Sequence, residues 1–276
     1  MEIYQAVILG LVQGFTEFLP VSSSGHLVIF QRIFGLMEPE IFFDICLHMG
    51  TLVAVIFYFR KDLYSIIISL LQTGTQLIKK ETTTASAWKN PDIKMAVFII
   101  IGLIPTVVAG LLIDRIADIL FTSVFITGIM LIITGTILWP TRKFHEKSPE
   151  GSANTVRKAF IIGLVQGFAV IPGISRSGST IAAGLFLGLD RETAAKFSFL
   201  MSIPAITGAA ILSLKDIDSL AGISLQVIVP GMLMSCISGY LALSFLVFIV
   251  NKGRLFTFAP YCWIAGIIAI ISGYYF

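Results

Sequence analysis

The sequence predicts an all-α, polytopic integral membrane protein with inverted-topology repeats and two re-entrant broken-helix hairpins. Three observations lead there. Of the 276 residues, 56% are hydrophobic and only 13% charged, and the mean hydropathy is +0.93, whereas a soluble domain carries about 25% charged residues. Several apolar stretches reach the ~20 residues that a helix needs to cross hydrocarbon. One apolar pattern, ILGLVQGF (8–15), returns as IIGLVQGF (161–168) at an offset of 153 (166 − 13). This composition excludes an ordinary water-soluble enzyme and a disordered chain. It also excludes a disulfide scaffold, because Cys46, Cys236 and Cys262 are too few for a framework and lie in apolar segments as inert thiols. The net charge of +3 is small and scattered, so nucleic acid is not an expected partner and the charges are read as topology. Glu2 precedes the first apolar run and no small-x-small cleavage pattern follows it, so residue 1 onward is read as mature protein.

Taken in order, the stretch 3–35 is apolar but broken by EFLPVSSSGH (17–26), with ionisable groups in its middle. Non-helical backbone at membrane depth survives only where protein or a water-filled cavity satisfies its N–H and C=O groups, so this reads as a broken, re-entrant helix. A span follows at 41–59, on which Asp44 and His48 share one helical face and either pair with each other or line a cavity. The stretch 63–78 carries Gln72, Thr73, Gly74, Thr75 and Gln76 on its back half and fits an interfacial helix as well as a crossing. Spans at 93–113 and 119–139 come next, the first with Pro105 as a tolerated kink. His145, among Arg142, Lys143, Glu146 and Lys147, is expected to be solvated. The stretch 156–189 is the second interrupted one, broken by PGISRSGST (172–180); spans at 195–214 (containing Pro204), 224–249 and 256–275 complete six crossings.

The offset also pairs Ser22 with Ser175, Ser24 with Ser177, Gly25 with Gly178, and Gly35-Leu36 with Gly188-Leu189. A single membrane domain, 1–276, is therefore divided into repeat one, roughly 1–113, and repeat two, roughly 156–276. Short loops rich in Lys and Arg stay cytoplasmic. Arg60-Lys61, Lys79-Lys80-Lys89-Lys94, Arg142-Lys143-Lys147-Arg157-Lys158 and Lys252-Arg254 mark the inside, and Asp114-Asp118 and Asp216-Asp218 the opposite loops. Counting crossings, residue 40 falls outside and its counterpart near 193 inside, so the copies are inverted. Inverted repeats bring their broken helices together near the midplane, where a polar site can form.

An ionisable group inside a membrane is a functional hypothesis by default. The first loop offers Gln13, Glu17, Ser22, Ser23, Ser24 and His26, and the second Ser175, Arg176, Ser177, Ser179 and Thr180. Gln13 and Glu17 are four apart, on one helical face, and present oxygens that suit a hard divalent cation, Mg²⁺ or Ca²⁺; bonding to freed backbone groups is the structural alternative. Arg176 stands among glycines and hydroxyls at the expected start of a helix, where amide N–H groups and a guanidinium fork make a cradle for phosphate. Its alternative is a simple ion pair with Glu17. Together these are the parts for phosphoryl transfer: cation and Arg neutralise phosphate oxygens while Ser or His attacks.

QGFTE (13–17), read as [EQ]xxxE, followed by FLPVSSSGH and then PGISRSGST, read as PGxSRSxxT, resembles the undecaprenyl-diphosphate phosphatase family, also called the bacitracin resistance protein. The likeness covers essentially the whole chain. It implies hydrolysis of a C55 prenyl diphosphate to the monophosphate carrier for cell-wall synthesis, with dependence on a divalent cation. It also implies a bacterial plasma-membrane location with the site open to the extracytoplasmic side. Gln13 and Glu17 then correspond to the metal-associated pair and Arg176 to the diphosphate clamp, with Ser22, Ser24, Ser175, Ser177 and Thr180 as substrate-binding hydroxyls. Ser23 and His26 are both candidates for nucleophile or proton transfer, with Ser23 favoured; Glu17 is either base or metal ligand. Gln13 takes the Gln option of the motif, which removes one negative charge. Two other readings follow from the residues. Inverted repeats also suit a lipid-phosphate transporter or flippase, and SSGH (23–26) looks like the PSGH element of the acid-phosphatase superfamily, whose companion motifs are missing. The partners expected are the prenyl diphosphate and the lipid bilayer, and the sequence leaves open whether the chain forms a homo-oligomer.

Overall fold

The structure, a computed structural model, describes residues 1–36, 41–114, 117–144, 155–213 and 224–275. Its elements are helices: α1 (Ile3–Phe18), α2 (Ser23–Ile33), α3 (Ile41–Tyr58), α4 (Arg60–Ile78), α5 (Thr84–Ala87), α6 (Pro91–Asp114), α7 (Ala117–Thr122), α8 (Val124–Leu138), α9 (Val156–Phe168), α10 (Arg176–Phe186), α11 (Arg191–Ser213), α12 (Leu225–Asn251) and α13 (Ala259–Tyr275). Among the described residues five helical segments are long and apolar enough to cross a membrane, and six if α3 and α4 count as one bent span. This is a polytopic, all-helical membrane protein.

Both interrupted stretches fold as a helix, a break and a second helix. Pro20 disfavours helical backbone at Leu19, which is extended (φ −60°, ψ 141°), and α1 stops there. Ser22 takes a positive φ of 69° and caps α2, its Oγ accepting from the Gly25 N–H at 3.3 Å. In the second stretch Ser175 caps α10 in the same way, accepting from Gly178 N–H at 3.1 Å. α2 and α10 begin at Ser23 and Arg176 and end at Ile33 and Phe186, so both ends keep the sequence offset.

Close glycine packing sets where the breaks lie. α1 runs alongside α12 in the same direction, with Gly10 against Gly231 and Gly14 against Ser235, Ser238 and Gly239; any Cβ at these glycines would overlap the neighbouring helix. α9 runs alongside α6 likewise, with Gly163 against Gly102 and Gly167 against Pro105, Thr106 and Ala109. In lipid such close approach is the main source of helix association. One end of the bundle is tied together by polar contacts: Lys196 pairs with Asp62, Ser65 Oγ donates to Asp92 at 2.6 Å, and Arg191 donates to the Phe144 carbonyl at 3.0 Å. That end gathers the start of α6, the start of α11 and the end of α12, and it carries Arg60, Lys61, Arg142, Lys143, Lys252 and Arg254. α12 ends there and α6 begins there. Hence α1 comes in from the opposite end, α9 from the basic end, and both break before reaching the far ends of their neighbours.

Two stretches gain detail beyond the sequence reading. The span 41–59 ends where α4 turns away by 74°, and α4 fastens its Asp62, Ser65 and Ser69 to α11 and the start of α6. That geometry places 63–78 across the bundle end rather than along the axis of α3. The span 119–139 is split at Ser123, whose hydroxyl accepts from the Ile126 N–H at 3.2 Å and starts α8 afresh. His145, Lys147, Asp216 and Asp218, with the side chains of Asp114 and Asp118, lie outside the described residues.

Candidate active site

The two breaks meet. Ser22 Oγ also accepts from the Gly173 N–H at 3.0 Å, and Ser177 Oγ donates to the Phe18 carbonyl at 2.8 Å. Gly25 and Gly173 are so close that a Cβ on Gly25 would lie 3.2 Å from the Gly173 backbone. Thr134 of α8 braces the second break from behind: its hydroxyl donates to the Gly173 carbonyl at 2.8 Å and accepts from the Ser175 N–H at 3.0 Å.

At this junction Glu17, only 8% exposed, is the hub. Its Oε1 forms an ion pair with Arg176 Nη2. Its Oε2 accepts from Ser23 Oγ at 2.6 Å and from Gln13 Nε2 at 3.1 Å, and His48 Nε2 stands 3.5 Å away. The last turn of α1, the start of α2, the start of α10 and the middle of α3 thus converge on one carboxylate. A buried carboxylate stays charged only with such compensation. Two buried atoms here have no partner among the described residues, Arg176 Nη1 and Gln13 Oε1. One is a donor suited to an anion and the other an oxygen suited to a cation. Buried polar groups are normally satisfied, so both are places for a ligand.

His26 points elsewhere. Its Nδ1 lies 2.8 Å from the Ser22 carbonyl and its Nε2 2.7 Å from the Tyr261 hydroxyl of α13. A carbonyl only accepts, so we assign the ring proton to Nδ1, and Nε2 accepts from Tyr261. Of the remaining predicted hydroxyls, Ser22, Ser175, Ser177 and Thr180 hold backbone. Ser22 and Ser175 cap helices, Ser177 ties the two breaks together, and Thr180 Oγ1 donates to the Arg176 carbonyl at 2.7 Å while meeting Ser198 Oγ at 2.6 Å. Ser24 contacts Ser22 at 3.4 Å. Ser179 Oγ is buried without a partner among the described residues.

Asp44 and His48 do not pair through their side chains. Asp44 Oδ1 accepts from Gln31 Nε2 at 2.7 Å, and His48 Nδ1 bonds the Asp44 backbone carbonyl at 2.7 Å, which turns Nε2 toward Glu17. Their helical spacing favoured a pair between them, and the structure turns His48 to Glu17 instead because α1 lies beside α3. Tyr261 and Thr134 carry no signal in the sequence: each is one polar atom in an apolar span.

The arrangement is a hydroxyl held on a carboxylate beside a guanidinium with one open edge. This is suited to attack by Ser23 on a bound phosphate, with Glu17 taking the proton and Arg176 the phosphate charge.

Comparison with known proteins matches the chain over residues 6–268 to the family model described as Bacitracin resistance protein BacA. The chain is 48% identical to a protein named undecaprenyl-diphosphatase of Desulforapulum autotrophicum, over 99% of both chains. It is 49% identical to one of the same name from Desulfosudis oleivorans, again over 99% of each. A third relative so named, from Methanobrevibacter smithii, is 41% identical over 99% of this chain and 98% of its own. With the [EQ]xxxE and PGxSRSxxT segments converging on one buried ion pair and the match running nearly end to end, the chain belongs to the bacitracin resistance protein BacA family.

Proposed function

We propose that the chain is a membrane phosphatase that hydrolyses undecaprenyl diphosphate to undecaprenyl phosphate and inorganic phosphate, returning the lipid carrier to cell-wall synthesis. The observation that carries this reading is Arg176, which neutralises Glu17 with one nitrogen and keeps the other buried and without a partner among the described residues, on the same carboxylate that holds Ser23. The names of the relatives support it. A pure transporter would need the anion cradle, but it would have no use for a hydroxyl held 2.6 Å from a carboxylate.

In this reading the terminal phosphate enters against Arg176 Nη1. Ser23 Oγ attacks its phosphorus, its proton passes to Glu17 Oε2, and the bond to the bridging oxygen breaks, releasing the prenyl monophosphate. Water then cleaves the phosphoserine, giving up a proton that reaches His26 Nε2, and Glu17 returns its proton to Ser23 Oγ. His26 suits this second half because its Nε2 is an acceptor, oriented by the Ser22 carbonyl on the other side of the ring.

The donor set fits a divalent cation that arrives with the diphosphate. Gln13 Oε1 is open, Glu17 lies beside it, and among the described residues no three His, Cys, Asp or Glu side chains form a closed cage. Mg²⁺ is commonly held in this way, by one or two protein oxygens plus substrate phosphates. When bound it would neutralise phosphate oxygens as the bridging bond breaks. The basic bundle end is cytoplasmic by the positive-inside rule. α1 and α2 then come in from the extracytoplasmic side of a bacterial plasma membrane, which is where the site opens.

Purified protein in detergent, given a long-chain prenyl diphosphate and Mg²⁺ or Ca²⁺, should release inorganic phosphate, and Arg176→Ala should release almost none. Binding without phosphate release by the wild type would overturn the reading. Near-normal release by Arg176→Ala would remove the clamp.

A further inference from the structure

We propose that Tyr261 is the group through which His26 exchanges protons, a relay contributed by α13 from outside both broken hairpins. The inference rests on the two-step reading above and assigns one residue of its second step.

His26 is 7% exposed, and its Nδ1 is committed to the Ser22 carbonyl. Its remaining nitrogen, Nε2, is occupied by the Tyr261 hydroxyl at 2.7 Å. The two rings lie nearly parallel, 11° apart in plane with centroids 5.8 Å apart, so the phenol meets the imidazole through its hydroxyl end. Tyr261 itself is 48% exposed. A buried acceptor therefore sits behind the hydroxyl of a half-exposed residue, and an imidazole nitrogen has one lone pair. Nε2 has no lone pair left for another donor while that bond stands, whereas the phenol oxygen still has lone pairs to accept with. Ser23 and His26 are three residues apart on α2, so His26 and its Tyr261 partner stand within one helical turn of the residue that would carry the phosphoryl group.

The transfer balances. Water gives one proton to Tyr261 Oη, the phenolic proton moves to His26 Nε2, and the hydroxide left behind attacks the phosphorus of phosphoserine 23. The phosphorus–Oγ bond breaks, and Oγ takes back the proton stored on Glu17. The phenol ends as it began, His26 carries the net proton until it returns through Tyr261 to solvent, and nothing is oxidised or reduced. Tyr261 thus acts in hydrolysis of the intermediate and not in its formation.

That division is testable. In rapid-quench assays with a prenyl diphosphate, wild type, Tyr261→Phe, His26→Ala and the double variant are compared for first-turnover release of prenyl monophosphate and for steady-state release of phosphate. Tyr261→Phe keeps the ring and its packing. It should keep the first-turnover monophosphate and lose about a hundredfold in steady-state rate, the scale of one proton-transfer catalyst. In the His26→Ala background it should change nothing further. A second arm reads the pair directly: nitrogen NMR of labelled histidine should show the His26 Nε2 signal move in Tyr261→Phe. Steady-state release equal to wild type, a loss of the first-turnover product, an additive effect on His26→Ala, or an unmoved Nε2 signal would each overturn the relay. A wild type that releases no phosphate at all would instead sink the enzymatic reading itself.

Discussion

Glu17 is shared by four side chains, and its two strongest partners serve different ends. The Arg176 pair makes it tolerable to bury a carboxylate, while the Ser23 bond aims a nucleophile. Removing one member of a buried pair costs about 3–5 kcal/mol because the other charge is left uncompensated, so deletion at Arg176 mixes stability with chemistry. Arg176→Lys separates them. An ammonium keeps the positive charge for Glu17 but cannot offer a second nitrogen in a fixed fork. The variant should unfold within a few degrees of wild type yet lose about a hundredfold or more in kcat/KM, the usual loss for one preorganised donor to a developing anion. Thermal unfolding and phosphate release measured on one preparation check it; a lysine variant with wild-type kcat/KM would show that Nη1 binds no phosphate. The acid, the base and the hydroxyl of this cluster were legible as residue types. His48 was legible only as one of two outcomes, since its target lies on a different helix.

The breaks work because particular positions accept conformations or approaches that most residues refuse. Gly173 has φ +96°, a region that disfavours side chains, and a Cβ there would strike the carbonyl of Thr127 and the side chain of Met130. It also supplies the N–H and C=O that Ser22 and Thr134 hold. Gly173→Ala should therefore destabilise by about 1–3 kcal/mol from backbone strain alone and spread the two breaks apart, lowering activity with it. Gly74 of α4 has open space around its Cα, and Gly74→Ala should be neutral or slightly stabilising, by up to about 1 kcal/mol. Equal melting temperatures for the two variants would sink this account. The Pro-Gly-Ser interruptions announced both breaks in the sequence, because they deny the backbone a helix where lipid demands one. The 74° turn between α3 and α4 was not announced: no proline or glycine marks it, and the α4 contacts that hold it are with α11 and α6. The Ser123 break between α7 and α8 was equally silent, a single cap inside an apolar run.

At the scale of the whole molecule, direction is what makes one site out of two similar hairpins. α1 follows α12 toward the basic end and α9 follows α6 away from it, so their tips stop at the same depth from opposite sides. The offset of 153 makes their sequence likeness plain, yet the equivalent of Glu17 is Val170 and that of Arg176 is Ser23. One carboxylate and one guanidinium therefore come from different copies and meet once. Which end of this arrangement faces the cytoplasm rests on the basic residues, and α12 gives a ruler for it, with Ser224 exposed at its start and Lys252 exposed just past its end. In a variant with Cys46, Cys236 and Cys262 replaced by alanine, Lys252→Cys should react with a membrane-impermeant maleimide in inside-out vesicles only. Ser224→Cys should react in intact spheroplasts only. The reverse pattern would turn the molecule over, opening the hairpin that carries Glu17 to the cytoplasm, and a headgroup arriving from outside could then reach Arg176 only by crossing the bilayer first.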